Sequence, residues 1–202
     1  MTQNMDREAY LGRVGEDVEP GGREPAPSPL RVVQQFVNTY NHELGRERDR
    51  LRTPAAAAQW LVDHSLLDPG RRLSPDDTSR LHLLRELLRD LADPWSQGEE
   101  SESSGALDAL GPDVSLTMRL GPDQRLFLAP AGIGVERAVG SLLAIVHEAM
   151  IDGSWSRLKA CRQCSWLFFD RSRNRSGGWC AMAVCGNRSK NRSFRRRRAS
   201  SW

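Results

Sequence analysis

Cys161, Cys164, Cys180 and Cys185 follow the spacing C-x2-C-x15-C-x4-C, and the chain has no other cysteine. A two-residue gap lets two thiolates point from a tight turn into one tetrahedral site, and the longer gap leaves room for a short hairpin that brings the second pair round. Zinc favours such thiolates. Buried free thiols, a redox C-x2-C pair and an iron–sulfur cluster use the same residue type, but a redox pair leaves Cys180 and Cys185 unexplained. A four-thiolate tetrahedron keeps no open coordination position, so its metal would be structural. A segment of this size buries too little apolar surface to fold alone and would depend on that metal. Arg162, Arg188 and Arg192 lie close enough in sequence to favour the thiolate forms.

The cysteines sit on a basic segment. From Trp155 to Trp202 there are thirteen Lys or Arg side chains against one acid, Asp170, a net +12 hidden inside an overall +3. Met1 to Ser154 carries the opposite excess, −9. Such asymmetry points to a polyanionic partner for the basic part. Nucleic acid leads, and an anionic membrane surface or the chain's own acidic part are the rivals. A helix leaving the last cysteine would carry Arg188, Arg192, Arg195 and Arg196 along one side, with Lys190 nearby and Phe194 on another face. Arginine forks on a helix can reach base edges or lie across phosphates, and the run Arg195, Arg196, Arg197, Arg198 adds sequence-independent attraction.

The segment LKACRQCSWLFFDRSRNRSGGWCAMAVCGNRSKNRSFRRRR resembles the CGNR-type zinc finger, named for the string Cys185-Gly186-Asn187-Arg188. The resemblance implies one structural Zn2+ held by Cys161, Cys164, Cys180 and Cys185. The preceding part, with Phe36-Val37-Asn38-Thr39 and the later TPAAAAQWL, is similar to the ABATE domain of stress-induced transcription regulators. Together these likenesses run from about Leu30 to Arg198. They imply a DNA-binding regulator; the alternative is a finger that serves as an adaptor for protein or RNA.

Around these residues the periodicities predict an α+β chain. Its N-terminal domain is mainly helical with a small antiparallel sheet, and a treble-clef-like or ribbon-like four-cysteine finger follows. Residues 1–29 show no apolar periodicity and end in PGGREPAPSP, which reads as a disordered leader. Residues 30–153 form the first domain and 154–202 the finger with its basic helix. Val32, Val33, Phe36, Val37 and Tyr40 make a helical stripe. Thr53-Pro54 and Ser74-Pro75-Asp76-Asp77 read as helix starts. The second opens a helix to about Ala92 with Leu81, Leu84, Leu87, Leu88 and Leu91 on one side. After an acidic loop, Pro94 to Gly105, alternation through Val114–Leu120 and Leu126–Leu128 predicts a β-hairpin. A last helix runs from about Val135 to Met150. Trp166, Phe168 and Phe169 are expected to form a small core over the metal, with base stacking as the alternative.

Elsewhere the chemistry is sparse. His42, His64, His82 and His147 are scattered, and no paired carboxylates or nucleophile–base spacing suggests an enzyme. Asn38 and Thr39 are polar intrusions in an apolar stripe. They serve either as a local cap or buried hydrogen bond, or as the lining of a pocket for a small effector. No run approaches the roughly 18 apolar residues of a membrane span, and no apolar signal segment opens the chain, so a cytoplasmic location is expected.

Overall fold

The structure, a computed structural model, describes residues 19–43, 45–94, 110 and 114–192. Helix α1 (Leu30–Val37) turns Leu30, Val33, Phe36 and Val37 inward. Helix α2 (Pro54–Asp63) starts at the predicted cap. The Ala56 amide donates to the Thr53 hydroxyl at 3.2 Å, and Pro54 occupies the first helical position, where a backbone N–H would lack an intrahelical partner anyway. Helix α3 (Pro75–Leu91) opens on a reciprocal cap: the Asp77 amide donates to Ser74 Oγ at 3.1 Å, and the Ser74 amide donates to Asp77 Oδ2 at 2.8 Å. A cap of this kind contributes about 1 kcal/mol. Helix α4 (Gly134–Ile151) buries Val135, Val139, Leu142 and Val146, while Met150 is exposed.

Strands β1 (Leu116–Leu120) and β2 (Leu126–Pro130) pair antiparallel, with Met118 opposite Leu128. One end of this hairpin rests on α4, where a side chain at Gly140 would meet Pro130 Cβ at 3.1 Å and Leu116 Cδ2 at 3.3 Å. Past that contact it overhangs, and Met118, Leu120 and Leu126 are each more than half exposed. The alternation correctly marks one apolar face, but α4 covers only part of it.

The cysteine module is not a bead tied to this domain. Strands β3 (Leu158–Ala160) and β4 (Leu167–Phe169) pair antiparallel, Lys159 opposite Phe168. Leu158, Ala160, Leu167 and Phe169 belong to the same core as α1 to α4, whereas Trp166 and Phe168 pack with the cysteines. Successive side chains on a strand point to opposite faces, so β4 is a wall shared by two cores. Phe169 therefore lies on the far side from the metal site, and the expected trio over the cysteines reduces to Trp166 and Phe168.

Residues 1–18 lie outside the described residues, but from Glu19 the chain lies against the module. Arg23 donates from Nε to the Cys180 carbonyl at 2.7 Å and from Nη2 to the Trp179 carbonyl at 3.1 Å. Its guanidinium stands 4.9 Å from the centre of the Phe168 ring, and Trp166 Nε1 donates to Glu19 Oε2 at 3.3 Å. Partners more than 140 residues away hold this stretch, so its local composition could not reveal them. Among the described residues no helix is long and apolar enough to cross a membrane.

Candidate metal centre

The turn between β3 and β4 carries the first ligand pair. The Cys161 amide donates to the Trp166 carbonyl at 2.9 Å and the Ser165 amide to the Cys161 carbonyl at 2.9 Å. Ser165 takes φ 58°, the left-handed conformation that turns the chain back toward β4. The second pair comes from the far side of a loop organised by Asp170. This fully buried carboxylate accepts from Lys159 Nζ at 2.9 Å, from the Ser172 amide at 3.0 Å and from the Gly177 amide at 2.8 Å; Lys159 also donates to the Arg175 carbonyl. Burial opposes ionisation of Asp170, but Lys159 and these donors outweigh it and hold the carboxyl well below its ordinary range. A side chain at Gly177 would stand 2.9 Å from the Asp170 carboxyl, so glycine permits the closure.

Cys180 follows this loop, and Cys185 lies in the wide helical turn Met182–Gly186, after which helix continues over 187–192. The β3–β4 turn gives two ligands, the end of the Asp170 loop gives Cys180 and the helical turn gives Cys185, a zinc-finger-like arrangement. All four Sγ atoms lie within 4.8 Å of one another, and Cys164, Cys180 and Cys185 are mutually 3.6 Å apart. Disulfide sulfurs sit at about 2.05 Å, whereas zinc–sulfur bonds of about 2.3 Å place tetrahedral sulfurs about 3.8 Å apart. The four cysteines are buried and form no disulfide. Hydrogen bonds from Cys164, Cys180 and Cys185 draw the Cys161 thiol well below its ordinary range, while bonding to Cys161 and Cys164 pushes Cys180 and Cys185 up. Four buried thiol sulfurs packed this closely fit a dication that replaces their protons. The cluster is a zinc site, and its closed donor set makes the metal structural.

Two family models match the chain. One, described as "Putative stress-induced transcription regulator" and named ABATE, covers residues 30–152. The other, the CGNR zinc finger, covers residues 157–198. The chain belongs to the ABATE family. A comparison with curated proteins returned no match.

The ABATE domain and its finger are joined by buried polar contacts. Asn38 Nδ2 donates to the Leu167 carbonyl and Asn38 Oδ1 accepts from the Leu167 amide, both at 2.8 Å. Gln34 Nε2 reaches the same carbonyl at 3.2 Å. Arg89 donates from Nη1 to the Ser165 carbonyl at 2.7 Å, and from Nη2 to the Val37 and Tyr40 carbonyls at 2.8 and 3.0 Å. Thr39 Oγ1 donates to the Phe36 carbonyl at 2.7 Å and accepts from Arg85 at 3.2 Å. Asn38 and Thr39 thus lie buried, with their hydrogen bonds made inside the protein. Neither is among the residues lining the cleft described below.

Of the expected basic residues, Arg188 is half-buried and engaged: Glu43 of the ABATE domain accepts from its Nη1 at 2.6 Å and its Nη2 at 3.1 Å. Lys190 and Arg192 are exposed on the helical turns beyond it. Phe194 and the run Arg195 to Arg198 lie outside the described residues. No motif in the sequence marks Arg85, Arg89 and Gln34. Arg85 and Arg89 do follow Leu81 at helical spacing. That places them on the buried side of α3, a signal available from the pattern alone.

Proposed function

We propose that this chain is a transcription regulator that binds DNA through its zinc-organised basic helix. The observation that carries the reading is the continuity between Cys185, at the metal, and the helical turns presenting Arg188, Lys190 and Arg192. A ligand fixed by zinc sets where that helix begins, and Lys190 and Arg192 face solvent, free to meet phosphates. The segment that follows adds the four arginines Arg195 to Arg198. The match to a family described as a stress-induced transcription regulator supports the same conclusion.

Glu43 gives the reading a regulatory side. An acid from the ABATE domain occupies the bidentate fork that Arg188 would offer to a phosphate. DNA therefore competes with Glu43 for Arg188, and the domain holds the finger in a partly masked state. A small effector acting on the ABATE domain would shift that competition.

The test is an electrophoretic mobility series on duplex DNA with the combined Lys190→Ala and Arg192→Ala variant. Loss of two phosphate contacts should weaken binding at every sequence tested. Undiminished DNA binding would move the interface away from this helix. Binding to RNA or a protein with no affinity for duplex DNA would instead make the finger an adaptor.

A further inference from the structure

Outside the metal centre a cleft of about 420 Å³ opens beside α3, within the size range of small-ligand sites. Two carboxylates line it, and both are committed to the wall. Asp49 takes the Arg85 guanidinium through two bonds of 2.7 and 2.8 Å. Glu86 accepts from Arg85 Nε at 3.1 Å and from Arg89 Nε at 3.0 Å. The imidazoles are engaged too, His82 Nε2 with the Leu51 carbonyl at 3.0 Å and His42 Nε2 with Glu86 at 3.3 Å. Arg46 and Arg52 remain, exposed at the rim and without an ion pair among the described residues. Tyr40 supplies an aromatic side, its ring centre 5.0 Å from the Arg85 guanidinium and 4.8 Å from the His42 ring.

We propose that this cleft binds a small phosphomonoester, with Arg46 and Arg52 receiving the dianion and the Tyr40–His42 side holding its organic body. Two uncommitted guanidinium forks match a phosphomonoester in charge, about −2 at neutral pH, and each planar fork can take two of its tetrahedrally arranged oxygens. A monocarboxylate matches only one of them. Because the carboxylates are neutralised within the wall, the anion meets no unpaired negative charge. Glu43, the residue that clasps Arg188, lies between His42 and Arg46 in the chain, so a ligand that fixes this segment acts on the clasp. Binding itself does not depend on whether the chain recognises DNA.

Isothermal titration of the full zinc-loaded chain with phenyl phosphate, inorganic phosphate and benzoate, at matched ionic strength, tests this directly. Phenyl phosphate should bind one to one and more tightly than inorganic phosphate, with benzoate weakest. The combined Arg46→Ala and Arg52→Ala variant should weaken phenyl phosphate by at least about tenfold, the effect of losing charge-assisted hydrogen bonds. Arg71→Ala with Arg72→Ala, exposed arginines outside the cleft lining, should leave it unchanged. Equal weakening by both pairs, or no saturable binding, would overturn the site. Tighter binding of benzoate than of phenyl phosphate would overturn the phosphate assignment.

Discussion

Asn38 and Leu167 exchange two hydrogen bonds of 2.8 Å, so a side-chain amide of the ABATE domain completes the backbone pairing of the strand that walls the zinc site. The Leu167 carbonyl has Gln34 as a second partner, but for the Leu167 amide Asn38 is the partner the structure records. Substituting Asn38→Ala leaves that buried N–H unsatisfied, and a cost of about 1–3 kcal/mol follows. Urea denaturation should show the loss, together with faster zinc release to a chelator. Wild-type stability in this variant would mean that the two bonds contribute nothing net.

Zinc removal should reach beyond the finger. Leu158, Leu167 and Phe169 sit in the helical core, and the strands that carry them flank the first ligand pair. Chelation, or Cys180→Ser, should therefore lower hydrogen-exchange protection in α1 and α3 as well as over 155–192. A finger with a core of its own would instead leave the N-terminal domain intact without metal. Protection in α1 and α3 that is unchanged in the metal-free chain would restore that simpler picture.

The Arg85–Asp49 pair is buried on both sides, with 4% and 8% of the side chains exposed. Arg85→Met strands a buried carboxylate and should cost about 3–5 kcal/mol. Burial tends to raise the Asp49 pKa, but the bonds from Arg85 and the Leu51 amide prevail and the carboxyl titrates below its ordinary 3.8. A depressed carboxyl stabilises the fold above its unfolded pKa and loses that contribution as pH falls through the folded value. Melting temperature should therefore fall more steeply below about pH 4 in the wild type than in Asp49→Asn. Parallel acid limbs would contradict the assignment.

Glu43→Gln removes the charge that holds Arg188 while preserving the side chain's shape. Both partners are partly exposed, so the clasp is a modest interaction. Duplex DNA affinity should rise about threefold in this variant, measured at constant salt. A fall in affinity would show that Glu43 orders Arg188 for DNA and does not withhold it.

The zinc ligands were legible because cysteine type and spacing carry coordination geometry by themselves. The helix starts at Thr53 and Ser74 were legible because a cap is local chemistry. What stayed hidden was long-range. The run Trp166-Leu167-Phe168-Phe169 is apolar throughout, and an unbroken apolar run cannot say that alternate side chains serve different cores. Arg23 and Gln34 read as ordinary polar residues, because their backbone acceptors lie in the distant finger. Asn38 and Thr39 stood out correctly as polar residues in a buried stripe. Of the two roles considered, the structure shows buried hydrogen bonding.

Fluorescence anisotropy of the zinc-loaded full chain on duplex DNA, repeated across salt concentrations, tests the central claim most directly. Engagement of about six phosphates predicts a log–log slope of about −5, with binding much weakened in a Cys161→Ser control. No binding at low salt, or binding of equal strength in that control, would contradict a DNA interface organised by zinc.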